Sequence, residues 1–428
     1  MKPNFQLIVI IVFITLAIVG VLVFSGAIPL GEDNSELGQG TVVLWGTVRG
    51  DLIAGMLEDF NTANPTYLVQ YVQKNKDTFD RDLLEALATG TGPDMFFLPD
   101  DLAYHYSNKI FPIPYSSFSE ASFKGAFASA GEVFLTGSGI LALPLTIDPM
   151  VMYYNRTMLD ASGVVYPPNT WTDLIEVTPK LTQKDEANQI SKSAVALGHF
   201  SNVNHAKDIL VTLFMQSGNP IVAEQGGTFV SKLYDIGRDL GPFLKFYTDF
   251  ADPTNGVYSW NKSFPSSVDA FSREELAFYF GYGSELPDLV NRNPNQNFLM
   301  APMPQVKDSN LRATKANVMG IAISRFSRNL NTTFIAANAM ATSNFASILA
   351  GVLNTAPARR DLLSVKQTDS YKPILYSSAL YSRSWLDPKE SDTDTIFRGM
   401  IDSVLANNSS PSDAVKDASS KLGLMLTR

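Results

Sequence analysis

Few residues of this chain form patterns that support catalysis or metal binding. The three histidines (His105, His199 and His205) lie in no zinc pattern such as H-E-x-x-H. Residues 259–262, SWNK, match S-x-x-K, but the partner motifs S-D-N and K-T-G are missing, which favours a chance match. There is no G-x-S-x-G elbow, phosphate-binding loop, calcium loop or cysteine. The sequence predicts no enzyme, no cofactor and no metal site.

Nine other residues could instead hold a small solute. Aromatic planes can cover the apolar faces of a ligand while charged side chains take its polar groups. The polar candidates also have structural interpretations: Asp100 and Asp101 can cap a helix, Asp148 can form a turn before proline, and Arg49 can be a solvated loop charge. The nine candidates are Trp45, Arg49, Asp100, Asp101, Asp148, Tyr258, Trp260, Tyr282 and Trp385.

The aromatic candidates rest on different local patterns. Trp45 ends an apolar run and could either close the core or stack on a ligand. Tyr258 and Trp260 lie in a polar loop, where exposed aromatic residues mark binding more often than packing. Tyr282 is flanked by glycines at the end of an aromatic strand, and Trp385 follows a tyrosine and an arginine. We expect these rings to line a cleft.

Residues 41–98, which begin the globular part, alternate between strand and helix patterns. Apolar runs at 41–45, 68–72 and 95–98 indicate strands, and helical spacing fills 52–60 and 79–87. This order predicts a parallel sheet with helices on both faces, whose ligands lie beyond the carboxyl ends of the strands. Trp45, Arg49, Asp100 and Asp101 would lie at that edge.

Residues 139–176 are expected to carry the chain from one lobe to another. The apolar run at 140–145 is interrupted by Pro144, and a polar turn at 146–149 separates it from a second run at 150–154. Thr170, with Asp173 three residues later, predicts a capped helix. Asp148 in the turn is the best single polar candidate for a ligand contact.

Length, charge and the N-terminus limit the possible classes. A chain of 428 residues favours two lobes, and a net charge of −9 argues against nucleic acid as a partner. Residues 7–24 are long and apolar enough to span a membrane, and only Lys2 precedes them, so the bulk of the chain is expected outside the cytoplasm. We expect residues 1–28 to be a membrane anchor, with a cleaved signal peptide and secretion as the alternative, and 29–40 to be a linker.

Several phrases, in order, resemble family 1 extracellular solute-binding proteins, the sugar-binding group that includes maltose-binding protein. They lie within residues 41–425, and each is weak alone. The phrases are MLEDFNTANP (56–65), ALATGTGPDMFF (86–97), ALPLTIDPMVMYYNRTML (142–159), PPNTWTDLIEVTPKLT (167–182), AFSREELAFYFGYGSEL (270–286), FLMAPMPQV (298–306) and TAPARRDLL (355–363).

The resemblance implies an α/β, two-lobed periplasmic-binding-protein fold, type II-like, with hinge crossings near 146–151 and 318–320. Lobe one would comprise 41–148 and 320–363, and lobe two 149–319 and 364–428. A monomer would capture a sugar or oligosaccharide between the lobes and deliver it to an ABC permease. Two departures are notable: the lipid-bearing cysteine of many members is absent, and SREE at 272–275 replaces a small-glycine-basic turn.

Two alternatives remain open. The same fold could bind a polyamine, phosphonate or metal chelate, which a cleft with many carboxylates and few aromatics would indicate. The chain could also be a surface-anchored glycoside hydrolase, which turnover of a glycoside by the purified protein would reveal.

Overall fold

The computed structural model describes residues 40–235, 237–342 and 344–427. The expected anchor at 1–28 and nearly all of the linker lie outside the described residues. The strands are β1 Gly40–Gly46, β2 Tyr67–Gln73, β3 Met95–Pro99, β4 Leu135–Thr136, β5 Gly139–Ile140, β6 Leu143–Asn155, β7 Gln183–Lys184, β8 Ile190–Val195, β9 Val222–Gln225, β10 Thr228–Ser231, β11 Leu276–Tyr282, β12 Phe298–Pro302, β13 Thr314–Ile323, β14 Ala356–Pro357 and β15 Ser382–Arg383.

Helices alternate with the first three strands and form most of the described residues after β13. The α-helices are α1 Gly50–Ala63, α2 Phe79–Thr89, α3 Asp100–Tyr106, α4 Glu120–Ala126, α5 Arg156–Ala161, α6 Trp171–Leu181, α7 Ala206–Gln216, α8 Gly241–Asp249, α9 Ser267–Ser272, α10 Leu286–Arg292, α11 Leu330–Thr342, α12 Asn344–Val352, α13 Arg360–Leu363, α14 Lys372–Tyr381, α15 Glu390–Leu405 and α16 Pro411–Leu426.

The predicted α/β alternation of the first lobe is confirmed. Strand β1 pairs in parallel with β2 on one side and β3 on the other. Helix α1 buries one face, formed by Ile53, Met56, Leu57 and Phe60, at the helical spacing seen in the sequence. Helix α2 ends at Gly90, whose φ of 70° is the left-handed geometry that a C-terminal glycine adopts without strain.

Strand β6 is one continuous buried strand of 13 residues. The polar turn expected at 146–149 was therefore wrong, because these residues are part of the strand. Its first half pairs with β13 and β14, and its second half pairs with β11 and β12. Partners on both sides satisfy the backbone groups around the two prolines, which lack a donor of their own. Strand β6 therefore belongs to the sheets of both lobes.

Strand β13 is the second strand shared by both lobes. Its last residues pair with β3 of lobe one, from Met319↔Pro99 to Ile323↔Met95. Its first residues pair with β15, and its register against β6 shifts between Met319 and Gly320. Two antiparallel strands thus cross between lobes, which confirms the two-lobed α/β architecture. The order along the main sheet is β2-β1-β3-β13-β6-β11-β8-β7.

The C-terminal helices divide between the two lobes. Helices α11 and α12 pack against α1, β1 and β6, whereas α15 and α16 pack against α8 and the β9–β10 hairpin.

Among the residues described, no single helix is long and apolar enough to span a membrane. Helices α11 and α12 reach that length and apolarity only as a pair, with a bend of 64° between them.

Candidate functional site

Charged residues gather where strand ends of both lobes meet β6 and β13. Asp100 directly follows β3, Glu285 follows β11, and Asp148 lies within β6. Such strand ends are where α/β proteins bind ligands. We call the following nine residues the interlobe cluster: the acids Asp100, Asp101, Asp148, Asp208, Glu285 and Asp387, and the bases Lys207, Lys315 and His205.

Asp100 joins lobe one to the crossing strand. Its Oδ1 accepts a hydrogen bond from the backbone N–H of Val318 at 3.0 Å. Its Oδ2 accepts from Lys315 Nζ at 3.3 Å and from the hydroxyl of Ser384. Both charged side chains are almost fully buried, and both oxygens of the Asp100 carboxylate have hydrogen-bond partners. This ion pair is therefore a structural contact.

Asp101, the next residue, is less well satisfied. Its Oδ1 is buried and has no hydrogen-bond partner in the structure. Burial, followed by the negative charge of Asp100, raises the pKa of the Asp101 carboxyl to about 7. The charges of Glu390 and Asp387, from the segment that starts α15, act in the same direction.

Asp148 lies in the crossing strand at the position expected from the sequence. Its Oδ1 accepts one hydrogen bond, from the backbone N–H of Ser284 at 3.1 Å. The residue is 9% exposed, and burial raises the pKa of its carboxyl to about 7. Hydrogen bonding from Ser284 and the charge of His205 oppose this shift, whereas the charge of Glu285 adds to it.

His205 and Glu285 form a pair at the end of β11. The imidazole Nε2 lies 2.7 Å from Glu285 Oε1. Burial disfavours the imidazolium, but the bond to Glu285 outweighs it and raises the pKa of His205. Burial likewise works against the Glu285 carboxylate, and the bonds from His205 and Tyr279 lower its pKa overall. His205 has a φ of 59°, a left-handed backbone that marks local strain.

Tyr282, the last residue of β11, points its hydroxyl toward the acids. It is 4% exposed, and the hydroxyl makes no hydrogen bond in the structure. Burial, then the charge and close contact of the Asp208 carboxylate, and then the charges of Asp100 and Asp148 raise the pKa of this phenol well above its usual value. The ring packs edge-on against His205 with centroids 5.0 Å apart.

Lys207 is the buried cation of lobe two. Its Nζ lies 3.1 Å from Asp387 and 2.7 Å from Asp394, and it donates to the hydroxyl of Thr393. Although burial opposes the ammonium charge, Asp387 and the other acids raise the pKa of Lys207. These contacts fix the start of α15 beside the start of α7.

The remaining sequence candidates lie elsewhere. Trp45 is partly exposed at the end of β1, with Lys74 Nζ 3.4 Å from its ring centroid. Arg49 is exposed and paired with Asp51. Tyr258 is partly buried, and its hydroxyl accepts a hydrogen bond from Asn261.

Two of the candidate tryptophans are buried, and for Trp260 this corrects the expectation of an exposed loop residue. Trp260 is 0% exposed, stacks on Phe264 at 4.5 Å and donates its indole N–H to Asn202. Trp385 is 5% exposed and lines a cavity of about 240 Å³ together with Leu311 and Arg383. Trp260 therefore offers no open plane in this structure, whereas Trp385 borders that cavity.

Six members of the interlobe cluster were not predicted from the sequence. The only signal for Glu285 was the glycine-rich phrase that ends β11, and Asp387 precedes a proline. The others follow no spacing rule, because the fold brings them together from separate segments. They are His205, Lys207, Asp208, Glu285, Lys315 and Asp387.

Similar folds occur among solved structures. A cyclo/maltodextrin-binding protein complexed with maltotetraose has a TM-score of 0.73 at 16% identity, covering 91% of this chain and 97% of that chain. The maltose-binding protein of Listeria monocytogenes, in complex with maltose, has a TM-score of 0.71 at 16% identity, covering 91% and 98%. An ABC substrate-binding protein of the same organism, in complex with cycloalternan, has a TM-score of 0.66 at 18% identity, covering 91% and 99%.

Sequence comparisons identify the family. A binding protein of Brucella abortus is 22% identical over 138 residues, 31% of this chain, and the match spans about a third (33%) of that relative's length. The sequence model of the bacterial extracellular solute-binding protein family matches residues 55–373. This match covers well over half of the 428 residues. The chain therefore belongs to the bacterial extracellular solute-binding protein family.

Proposed function

We propose that the chain captures a sugar or oligosaccharide between its lobes and delivers it to an ABC permease. The observation that carries this proposal is the interlobe cluster, in which acids at strand ends of both lobes converge on the crossing strands. Carboxylates accept hydrogen bonds from sugar hydroxyls well. The complexes of similar fold, which hold maltotetraose, maltose and cycloalternan, support a carbohydrate.

Closure of the lobes would couple binding to delivery. We propose that lobe one comprises 41–148 and 320–363, and lobe two 149–319 and 364–428, with β6 and β13 as the hinge. A ligand contacted by both lobes favours the closed form only by its higher affinity for that form. The permease would then recognise the closed surface. Of the sequence candidates, Asp100, Asp101, Asp148 and Tyr282 lie in the cluster.

Thermal shift of the full chain with neutral mono- and oligosaccharides tests the proposal. A sugar ligand should raise the melting temperature and reduce the radius of gyration in solution scattering. Asp148→Asn should weaken both effects, whereas Asp51→Asn, on the exposed surface of lobe one, should leave them unchanged. The sugar assignment is wrong if no sugar shifts the melting temperature while polyamines or metal chelates do.

A non-sugar solute is the second candidate. Among non-sugar solutes, a cation such as a polyamine fits best. The cluster has six carboxyl groups, and two of the predicted stacking tryptophans are in the core. A phosphonate fits poorly, since buried carboxylates repel an anion.

We propose no catalytic role for these carboxyls, in line with the family of binding proteins. Incubation with aryl glycosides and oligosaccharides tests this. Turnover that disappears in Asp101→Asn would support the hydrolase alternative instead.

We also propose that a monomer is held at the outer face of the cell membrane by residues 1–28. N-terminal sequencing of the membrane fraction distinguishes an intact anchor from a cleaved signal peptide. Light scattering of the solubilised chain tests the monomer.

A further inference from the structure

We infer that the interlobe cluster binds a primary ammonium group carried by the solute. This deepens the proposed function and rests on the same site. Within the carbohydrate proposal the ligand is an amino sugar or an oligomer of one. An aliphatic polyamine is the other source of the same chemistry.

The lysines of the cluster are already engaged by particular acids. Lys207 Nζ contacts Asp387 and Asp394, and Lys315 Nζ contacts Asp100. Lys315 also donates to the backbone carbonyl of Ala316 at 2.6 Å. An ammonium has three protons to donate, so each lysine has little capacity left for a further carboxylate.

Four carboxyl groups of the interlobe cluster form no ion pair with a lysine or arginine among the described residues: those of Asp101, Asp148, Asp208 and Glu285. Asp101 Oδ1 has no hydrogen bond, Asp148 has one backbone donor, and Asp208 lies 4.0 Å from His205 Nδ1. His205 directs its other nitrogen to Glu285 at 2.7 Å. The cations of the chain therefore leave an excess of negative charge in the cluster.

Tyr282 is an independent sign of a missing partner. A buried hydroxyl without a hydrogen bond is costly, and native proteins rarely keep one unless something binds it. No hydrogen bond of this hydroxyl has acceptable geometry, although the residue is only 4% exposed; Asp208 acts on it by contact and by charge, and Asp100 and Asp148 act on it by charge. An ammonium among these acids would donate to the phenol oxygen as well as to the carboxylates.

A neutral sugar would satisfy fewer of these groups. Its hydroxyls can donate hydrogen bonds, but they bring no charge to offset several carboxylates enclosed between the lobes. Without a ligand, burial keeps the pKa of Asp101 and of Asp148 at about 7, so both carboxyls are partly protonated at neutral pH. A cation in the cleft would stabilise their ionised forms.

Calorimetry with the full chain at pH 6.0, where the amines of glucosamine oligomers are protonated, and again at pH 7.5 tests the inference with four probes: glucosamine oligomers, the matching N-acetylglucosamine oligomers, spermidine and maltotetraose. Acetylation removes the charge but keeps the ring, so it isolates the ammonium. We expect the glucosamine oligomers to bind at least tenfold more tightly than their acetylated counterparts. Asp101→Asn and Asp148→Asn should each reduce that preference, and Tyr282→Phe should weaken glucosamine binding severalfold. Asp51→Asn should change neither.

The outcomes separate the two proposals. Equal or tighter binding of the acetylated oligomers or of maltotetraose would overturn the ammonium inference and leave the carbohydrate function standing. Binding of spermidine alone would support the ammonium and overturn the carbohydrate. If none of the four probes binds while the variants and the parent fold equally well by circular dichroism, both proposals are wrong.

Discussion

Asp100 and Lys315 form a buried ion pair, 3.3 Å between Oδ2 and Nζ, that ties the end of β3 to the crossing strand β13. The same carboxylate accepts the N–H of Val318 and the hydroxyl of Ser384. One acid of lobe one thus holds two later segments of the chain. Removing its cation leaves a charge that cannot reach water.

Lys315→Met should lower the free energy of unfolding by about 3 kcal/mol, because Asp100 stays buried without its counter-ion. Urea denaturation measures this. The double variant Lys315→Met/Asp100→Asn should recover part of the loss, since the uncompensated charge is gone. The exposed pair Arg49–Asp51 is the control: Arg49→Ala should leave the melting temperature unchanged. A loss in the double variant as large as in Lys315→Met would contradict this account of the buried charge.

The stability of the ligand-free protein should depend on pH through Asp148. Its folded pKa of about 7 lies above that of an unfolded aspartate, so between about pH 4 and 7 the folded state holds a proton that the unfolded state has released. The contribution of this carboxyl to stability is therefore full at low pH and falls by about 1.4 kcal/mol per pH unit across that window.

Asp148→Asn removes this titration while keeping an oxygen that can accept from Ser284. Relative to the parent, the variant should gain stability as pH rises from 4 to 7, and denaturation curves at several pH values measure the difference. Parallel pH profiles for the two proteins would show that Asp148 ionises normally in the folded state.

His205 combines a hydrogen bond with a strained backbone. Both His205→Ala and His205→Asn lose the 2.7 Å contact to Glu285, but asparagine tolerates the left-handed φ of 59° better than alanine. We expect the alanine variant to be less stable than the asparagine variant by about 1 kcal/mol. Thermal unfolding of the pair gives the comparison, and equal stability would mean that the backbone relaxes.

The sequence was sufficient for the alternation of strands and helices, because apolar spacing reports which face is buried. It was insufficient for β6, where two prolines suggested a turn. There, pairing with strands more than a hundred residues away overrides the local signal. Trp260 shows the same limit, since a polar loop around it does not reveal that Phe264 and Asn202 enclose its ring.

The interlobe cluster was predictable only in part. Asp100, Asp101 and Asp148 could be placed because the carboxyl ends of strands and a crossing segment are visible in the sequence. Lys207 and Asp387, which are 180 positions apart, could not be paired without the fold. Long-range charge pairing follows no local periodicity.

The β9–β10 hairpin should contribute to the closed form. Phe229 of this hairpin packs edge-on against Tyr104 of lobe one at 5.7 Å, and Glu224 accepts the N–H of Gly137 at 2.9 Å. Phe229→Ala should weaken ligand affinity roughly fivefold, as expected for an aromatic pair of about 1 kcal/mol, without touching the cluster. Phe326→Ala, at a 52% exposed position, is the control. Unchanged affinity in Phe229→Ala would exclude the hairpin from closure.

Gly283 lets the end of β11 approach the crossing strand. A Cβ there would lie 2.4 Å from Leu375 Cδ2 and 3.2 Å from Asp148 Oδ1. Gly283→Ala must therefore displace a buried leucine or the carboxylate, and we expect a loss of about 2 kcal/mol in unfolding free energy together with weaker ligand binding. Gly399→Ala is the matched control, because nothing lies within 4 Å of its added methyl and α15 gains a better helix former. That variant should be as stable as the parent or slightly more so, with ligand affinity unchanged. If Gly283→Ala bound ligand as tightly as Gly399→Ala, Asp148 could not be a ligand contact held in place by the end of β11.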